Sequence, residues 1–226
     1  MVSLSAFHAV TVELHGGMLA LAAICLLVLV IGAVFRRTLG KRAKRLASLM
    51  QKAVEYAEPT AYVAAIGGIV GLILSSVSGY FIASGMYSSA SEALVNTPIM
   101  MNKITLTIIA LELWVLFVAI RGWYGRDLWN VRSLGATYVL MGLAAFTFTM
   151  VAGSMGGHMT GKGSILDPII DTVGIDYSTP WVMDLTIAFT VLLAFTVVAA
   201  ISIIYVIYHS RFVQKAPVEN EELYRL

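Results

Sequence analysis

The chain has 226 residues, 59% of them hydrophobic and 12% charged, with a formal net charge of +2. Ordinary soluble domains carry about 25% charged residues, so the composition excludes a soluble enzyme and marks an integral membrane protein. The single cysteine, Cys25, excludes an intrachain disulfide and a thiolate-pair metal site.

A hydrocarbon core about 30 Å thick is crossed by about 20 apolar residues in a helix. Backbone amides in lipid must be bonded internally, which selects helices over open strands. The sequence therefore predicts one all-α membrane domain over residues 1–226, a bundle of five spans at about 11–35, 60–84, 99–121, 134–155 and 181–208. The first run has no basic residue ahead of it, since the first Lys or Arg is Arg36, so it reads as a permanent span and not as a signal peptide. Cys25 inside it is expected to be a small packing residue.

Residues 38–56, TLGKRAKRLASLMQKAVEY, read as an interfacial amphipathic helix. Leu46, Leu49, Met50, Ala53 and Val54 fall at helical spacing with lysines and arginines opposite, the pattern of a helix lying on an anionic membrane surface. Pro59 is expected to bound the second span at its start, and a serine-rich loop (Ser84, Ser88, Ser89, Ser91) at its end. Within that span Gly67, Gly71, Ser75, Gly79 and Ala83 recur every four residues. They form a smooth face for a neighbouring helix or a flat ligand, with helix packing the default.

Pro98 opens the third span, which carries Glu112 at its middle, and the fourth ends in MVAGSMGGHMTGKG, residues 150–163. The connection 160–180 holds Asp167, Asp171 and Asp176, which are not at calcium-loop spacing. Its Ile165, Leu166, Ile169, Ile170 and Val173 predict a short amphipathic turn. Pro180 and Trp181 open the fifth span, and the chain closes on an acidic tail, VENEELYRL, that reads as a solvated end or a contact for a soluble subunit.

Orientation follows from Lys and Arg. Three segments carry 13 of the 15 basic residues: Arg36 to Lys52, Arg121 to Arg132, and Arg211 to Arg225. Their alternation along the chain sets the N-terminus outside and the C-terminus in the cytoplasm. The same asymmetry attributes the basic pI to membrane orientation, and no nucleic-acid partner is expected.

Three of the four histidines, His8, His15 and His158, then fall on the outer side, and His209 on the inner. His8 and His15 share a helix face about 10 Å apart along the axis. His15 precedes Gly16 and Gly17, while His158 follows Gly156 and Gly157. Two histidines on different helices at one depth can ligate a planar cofactor between them, and glycine leaves room for its ring. The competing reading is that both are interfacial polar residues and that Gly156 and Gly157 form a left-handed helix end. Met18, Met86, Met100, Met101, Met150, Met155 and Met159 place thioethers near the same face, which with His158 would suit Cu(I). Lys103 is expected to pair with Glu13 or Asp184. Glu112 has no basic neighbour in sequence except Arg121 and reads as a protonated carboxyl relaying protons or bonding a quinone.

The five-helix layout with His15–Gly16–Gly17 and Gly156–Gly157–His158 resembles the small b-type cytochrome subunits of respiratory complexes. The resemblance implies haem b held by His15 and His158 as axial ligands, with Gly16, Gly17 and Gly157 against the ring. It also implies electron transfer between quinone and a partner redox subunit, and a proton or quinone contact at Glu112. No second histidine stands at the inner end to pair with His209, so a two-haem path is not expected. Two other readings stay open: a non-redox accessory or anchoring subunit of a larger membrane complex, and a copper-handling protein. A prokaryotic cytoplasmic membrane is the expected location.

Overall fold

The computed structural model describes residues 3–38, 44–86, 99–164, 166–172, 174 and 182–213. The serines at 88, 89 and 91, Pro98, Pro180, Trp181 and the acidic tail lie outside the described residues. The described elements are helices: α1 (Leu4–Thr38), α2 (Lys44–Met86), α3 (Ile99–Tyr124), α4 (Arg132–Met159), α5 (Asp167–Thr172) and α6 (Leu185–Val213), with a 3-10 turn at Gly125–Asn130 between α3 and α4. Five of them are long and apolar enough to cross a membrane; α5, with six residues, is the expected short turn of the loop.

Helices α1 to α4 form a ring in which α1 touches α2 and α4, and α3 touches α2 and α4; α6 packs on α3 from outside. α1 and α2 are antiparallel. His8 lies beside Gly79, His15 beside Gly71, Met18 beside Gly67, and Gly32 beside Val54 and Met50. The four-residue glycine–serine spacing of α2 is thus a helix-packing face, as expected, and α1 fills it. Without a hydrophobic driving force between helices in lipid, such close backbone approach supplies the attraction through van der Waals contact.

The core where the four helices converge is built on Leu19, Leu26, Trp114, Phe117 and Tyr138, each fully buried. Phe117 and Tyr138 stack at 4.1 Å, and Trp114 Nε1 donates to Thr149 Oγ1 at 3.2 Å. Gly142 gives α4 the flat spot on which Leu26 and Phe117 both rest. Toward the α3–α4 turn, Arg121 Nη2 donates to Glu58 Oε2 at 3.0 Å and Arg121 Nε donates to Glu58 Oε1, a two-pronged ion pair tying α3 to α2.

One boundary differs from expectation. Pro59 does not open the second span; it lies inside α2, which runs through it for 43 residues. Proline removes one backbone hydrogen bond and crowds the preceding turn, yet the helix is held on both sides of it. Met50 and Val54 pack against Gly32 before the proline, and Glu58 and Ala61 are fixed by Arg121 and by the core. Part of the apolar face of the 38–56 segment is therefore used against α1, and from Lys44 onward the segment is the first part of α2. Its Leu46 and Leu49 remain exposed.

Candidate functional site

The end of the bundle where α1 begins also holds the end of α2, the start of α3, the end of α4 and the start of α6. His8, His15, Lys103 and His158 all lie there. His15 sits where α1 comes closest to α2: a Cβ on Gly71 would lie 3.0 Å from His15 Cβ and 3.1 Å from its backbone nitrogen. Its ring Nδ1 is 2.9 Å from the Thr11 carbonyl oxygen, one turn earlier. A carbonyl only accepts, so Nδ1 carries the proton and Nε2 keeps its lone pair. Among the described residues Nε2 has no hydrogen-bond partner.

His8 is fixed by the same logic. The Ser78 hydroxyl donates to the Ser75 carbonyl at 3.1 Å, so its oxygen accepts from His8 Nδ1 at 2.9 Å. The His8 ring is thus held on α2 as well, with the Ser75 backbone also in bonding reach. Beside His15, a Cβ added to Gly16 or Gly17 would meet nothing within 4 Å, and the same holds at Gly153 on α4.

His158 is placed differently from expectation. The fourth span does not stop short of it: α4 continues to Met159, so His158 lies in its last turn. Its Nε2 is 2.9 Å from Asp167 Oδ1, and Asp167 Oδ2 accepts the Ser164 amide at 2.8 Å. No interaction among the described residues links His158 to His15. Gly157 has its own local reason: a Cβ there would fall on the Gly163 carbonyl oxygen, and Lys162 N donates to the Gly157 carbonyl at 3.0 Å. The left-handed positions are Gly161 and Gly163, both at φ 69°, and not Gly156 or Gly157. The chain folds back over the end of α4, and glycine at 157 lets it come that close.

The expected partner of Lys103 is not found. Asp184 instead caps α6, its Oδ1 accepting the Thr186 amide at 2.8 Å, and Glu13 is exposed. Lys103 stands within electrostatic reach of His8 and His15, and a Cβ on Gly156 would lie 2.8 Å from its Nζ.

Glu112 is half-buried at the α3–α6 contact. Its Oε1 accepts the Thr196 hydroxyl at 2.6 Å, while Oε2 is buried with no partner among the described residues. No local pattern points to Thr196, because the pairing depends on how α6 docks. Glu112 lies well along α3 from Lys103 and shares no interaction with the histidines. No group of three or more His, Cys, Asp or Glu side chains positioned to hold a metal ion occurs among the described residues. Met18 is taken up by packing on Gly67.

No protein-family model, curated protein or solved structure matches the chain.

Proposed function

We propose that this chain is a haem b-binding membrane subunit of a respiratory or redox complex, passing electrons between quinone and a partner subunit. The observation that carries the reading is the His15 ring. Its Nδ1–H is fixed on the Thr11 carbonyl, its Nε2 lone pair has no partner among the described residues, and two glycines follow with open space beside them. Ligand histidines in metal and haem sites are commonly oriented by such a second hydrogen bond. His15 would hold the haem, Gly16 and Gly17 would leave room for its ring, and His158 enters as the second ligand, its Asp167 contact being of the same orienting kind. Gly157 has the Gly163 carbonyl against it, so a glycine there also serves the loop.

Bound haem would supply one-electron transfer at the depth of His15. Glu112 takes the part of a proton or quinone contact, because its Oε2 needs a donor if charged and an acceptor if neutral. The orientation we adopt has the N-terminus outside and the C-terminus in the cytoplasm of a prokaryotic membrane, on the strength of the 13 of 15 basic residues that would share the inner side. The segment from Lys44 to Pro59 would then project along or out of the inner surface.

A reduced-minus-oxidised visible spectrum of the purified protein, with His15→Ala and His158→Ala beside the wild type, tests this. A b-type spectrum lost in both variants supports the reading. Loss in His15→Ala alone retains the haem but assigns its second ligand elsewhere. Absence of a Soret band from protein purified with its native neighbours refutes it. In that outcome the second reading, an accessory or anchoring subunit, takes its place. It is favoured by the way α6 packs on α3 and leaves Phe189, Leu193, Val198, Ile201 and Ile204 exposed.

A further inference from the structure

Thr107, Thr147, Thr149 and Thr190 each turn the hydroxyl back to donate to the carbonyl four residues earlier in their own helix. Thr105 does not. It is fully buried, and its hydroxyl has no partner among the described residues. A buried hydroxyl left unbonded is costly, although a bond to its own helix is the usual remedy. Further along α3, Glu112 Oε2 is in the same condition. Seven residues make almost two full turns, so the two side chains lie nearly in line, about 10 Å apart along the axis.

That line runs along the α3–α6 seam. Asn102, one turn before Thr105 and buried, accepts the Met183 amide just ahead of α6 at 2.7 Å. Glu112 accepts from Thr196 within α6. Thr105 therefore stands between two ties to the same stretch of chain. By that register α6 brings the buried Ala188 level with it, and alanine has no polar side-chain atom to offer. Beyond Glu112 the seam changes character: Leu116 and Ile120 are buried and apolar, and Ser202 on α6 donates to its own Val198 carbonyl. The buried polar side chains of α3 in this seam thus lie on the Asn102 side of Glu112.

We infer that the seam is a proton path, in which water joins the Thr105 hydroxyl to Glu112 Oε2 and protons enter from the Asn102 end. Buried water binds where polar groups would otherwise go unsatisfied. It both donates and accepts, as Oε2 requires in its two protonation states. Once the reach of the glutamate side chain is taken off, about one or two waters, each adding about 2.8 Å, span the distance. In one concerted relay Oε2 gains a proton from the adjacent water, that water takes one from Thr105, and the hydroxyl is refilled from the Asn102 side. Release runs the same steps backward, and no other bond is made or broken. The inference rests on the reading of Glu112 as a proton-handling group, but not on haem at His15.

The test follows the infrared carbonyl band of the Glu112 carboxylic acid. The full chain is reconstituted in phosphatidylcholine vesicles at neutral pH and moved into heavy water. Glu112→Gln removes the band and so assigns it. Exchange of its proton for deuterium should be about tenfold slower in Thr105→Val than in the wild type, for the loss of one hydrogen-bonded link. Thr105→Ser should restore the rate, which separates a lost hydroxyl from altered packing. Thr190→Val, at a hydroxyl bonded within α6, should leave it unchanged. Equal rates in wild type and Thr105→Val, or a slow rate in Thr105→Ser as well, overturn the path while leaving Glu112 a proton-handling group. If no carbonyl band is lost in Glu112→Gln, the residue is charged, and that reading and the path fall together.

Discussion

Glu112 and Thr196 are joined across the α3–α6 contact by a 2.6 Å hydrogen bond, the threonine hydroxyl donating and Glu112 Oε1 accepting. It is a polar tie holding α6 to the rest of the bundle. Hydrogen bonds between membrane helices are worth about 0.5–1.5 kcal/mol. Thr196→Val should lower stability by about that amount, measured by denaturant or thermal unfolding in detergent. Glu112→Gln keeps an oxygen acceptor for Thr196 and should leave stability near wild type. If Glu112 handles protons or quinone, the same variant should abolish quinone-linked electron transfer. A Glu112→Gln protein that is fully active would remove Glu112 from the mechanism.

The glycines of the α1–α2 face should separate by what each touches. At Gly71 an added methyl meets the His15 backbone, which cannot move aside, so Gly71→Ala is expected to destabilise by about 1–3 kcal/mol. At Gly67 it meets the mobile end of Met18, and the cost should be smaller. At Gly16 and Gly17 there is open space, and alanine should stabilise the helix by about 0.5–1 kcal/mol. Melting temperatures of the four variants order them. Under the haem reading, Gly16→Leu should also weaken or abolish any Soret band while leaving the fold intact.

Glu58→Ala should be the most damaging of the single changes considered. It leaves the half-buried Arg121 guanidinium, 16% exposed, without its partner, and stranding a charged group in this way costs at least about 1–3 kcal/mol. Double substitution of Glu58 and Arg121 by apolar residues should recover much of the loss. If Glu58→Ala melts like the wild type, the pair does not hold α2 to α3.

At the end of α4, His158→Ala and Asp167→Asn should show coupled effects, because they break one interaction. In a double-mutant cycle the two changes together should cost less than their sum, with a coupling of about 0.5–3 kcal/mol. Additive effects would mean that the 2.9 Å contact of His158 with Asp167 contributes nothing in solution.

Asp184 gives a pH dependence with a definite sign. The Thr186 backbone amide, with help from the Thr186 hydroxyl and the Ile187 and Leu185 amides, favours its carboxylate and holds its pKa below the ordinary value. Its contribution to α6 is therefore present above the unfolded carboxyl pKa and lost as pH falls through the lower, folded one. Asn caps helices as well as Asp, so Asp184→Asn should keep the cap and flatten that part of the acid limb of a melting-temperature profile. An unchanged acid limb would place the acid sensitivity elsewhere.

Periodicity and composition made the membrane-crossing helices legible, because hydrocarbon permits few alternatives. The packing role of Gly67, Gly71, Ser75 and Gly79 was legible as the default use of small residues four apart, a face that a neighbouring backbone can approach. Pro59 was misleading, since proline's local cost was outweighed by contacts from α1 and α3 that no local pattern announces. Site residues were legible as types but not as partners. Asp167 reaches His158 because the chain folds back through Gly161 and Gly163, and Thr196 reaches Glu112 because of the angle at which α6 docks. Lys103 was expected to be paired because charges at depth usually are; Asp184 lies close in depth but is held by the backbone of its own helix.

Lys103 and Glu112 stand on one straight helix, and α6 leans mainly on that helix. A rotation of α3 about its axis would swing the ammonium away from Gly156 and the carboxyl away from Thr196 in the same stroke. The packing of α6 on α3 therefore bears on the placement of both side chains, although they lie more than two turns apart.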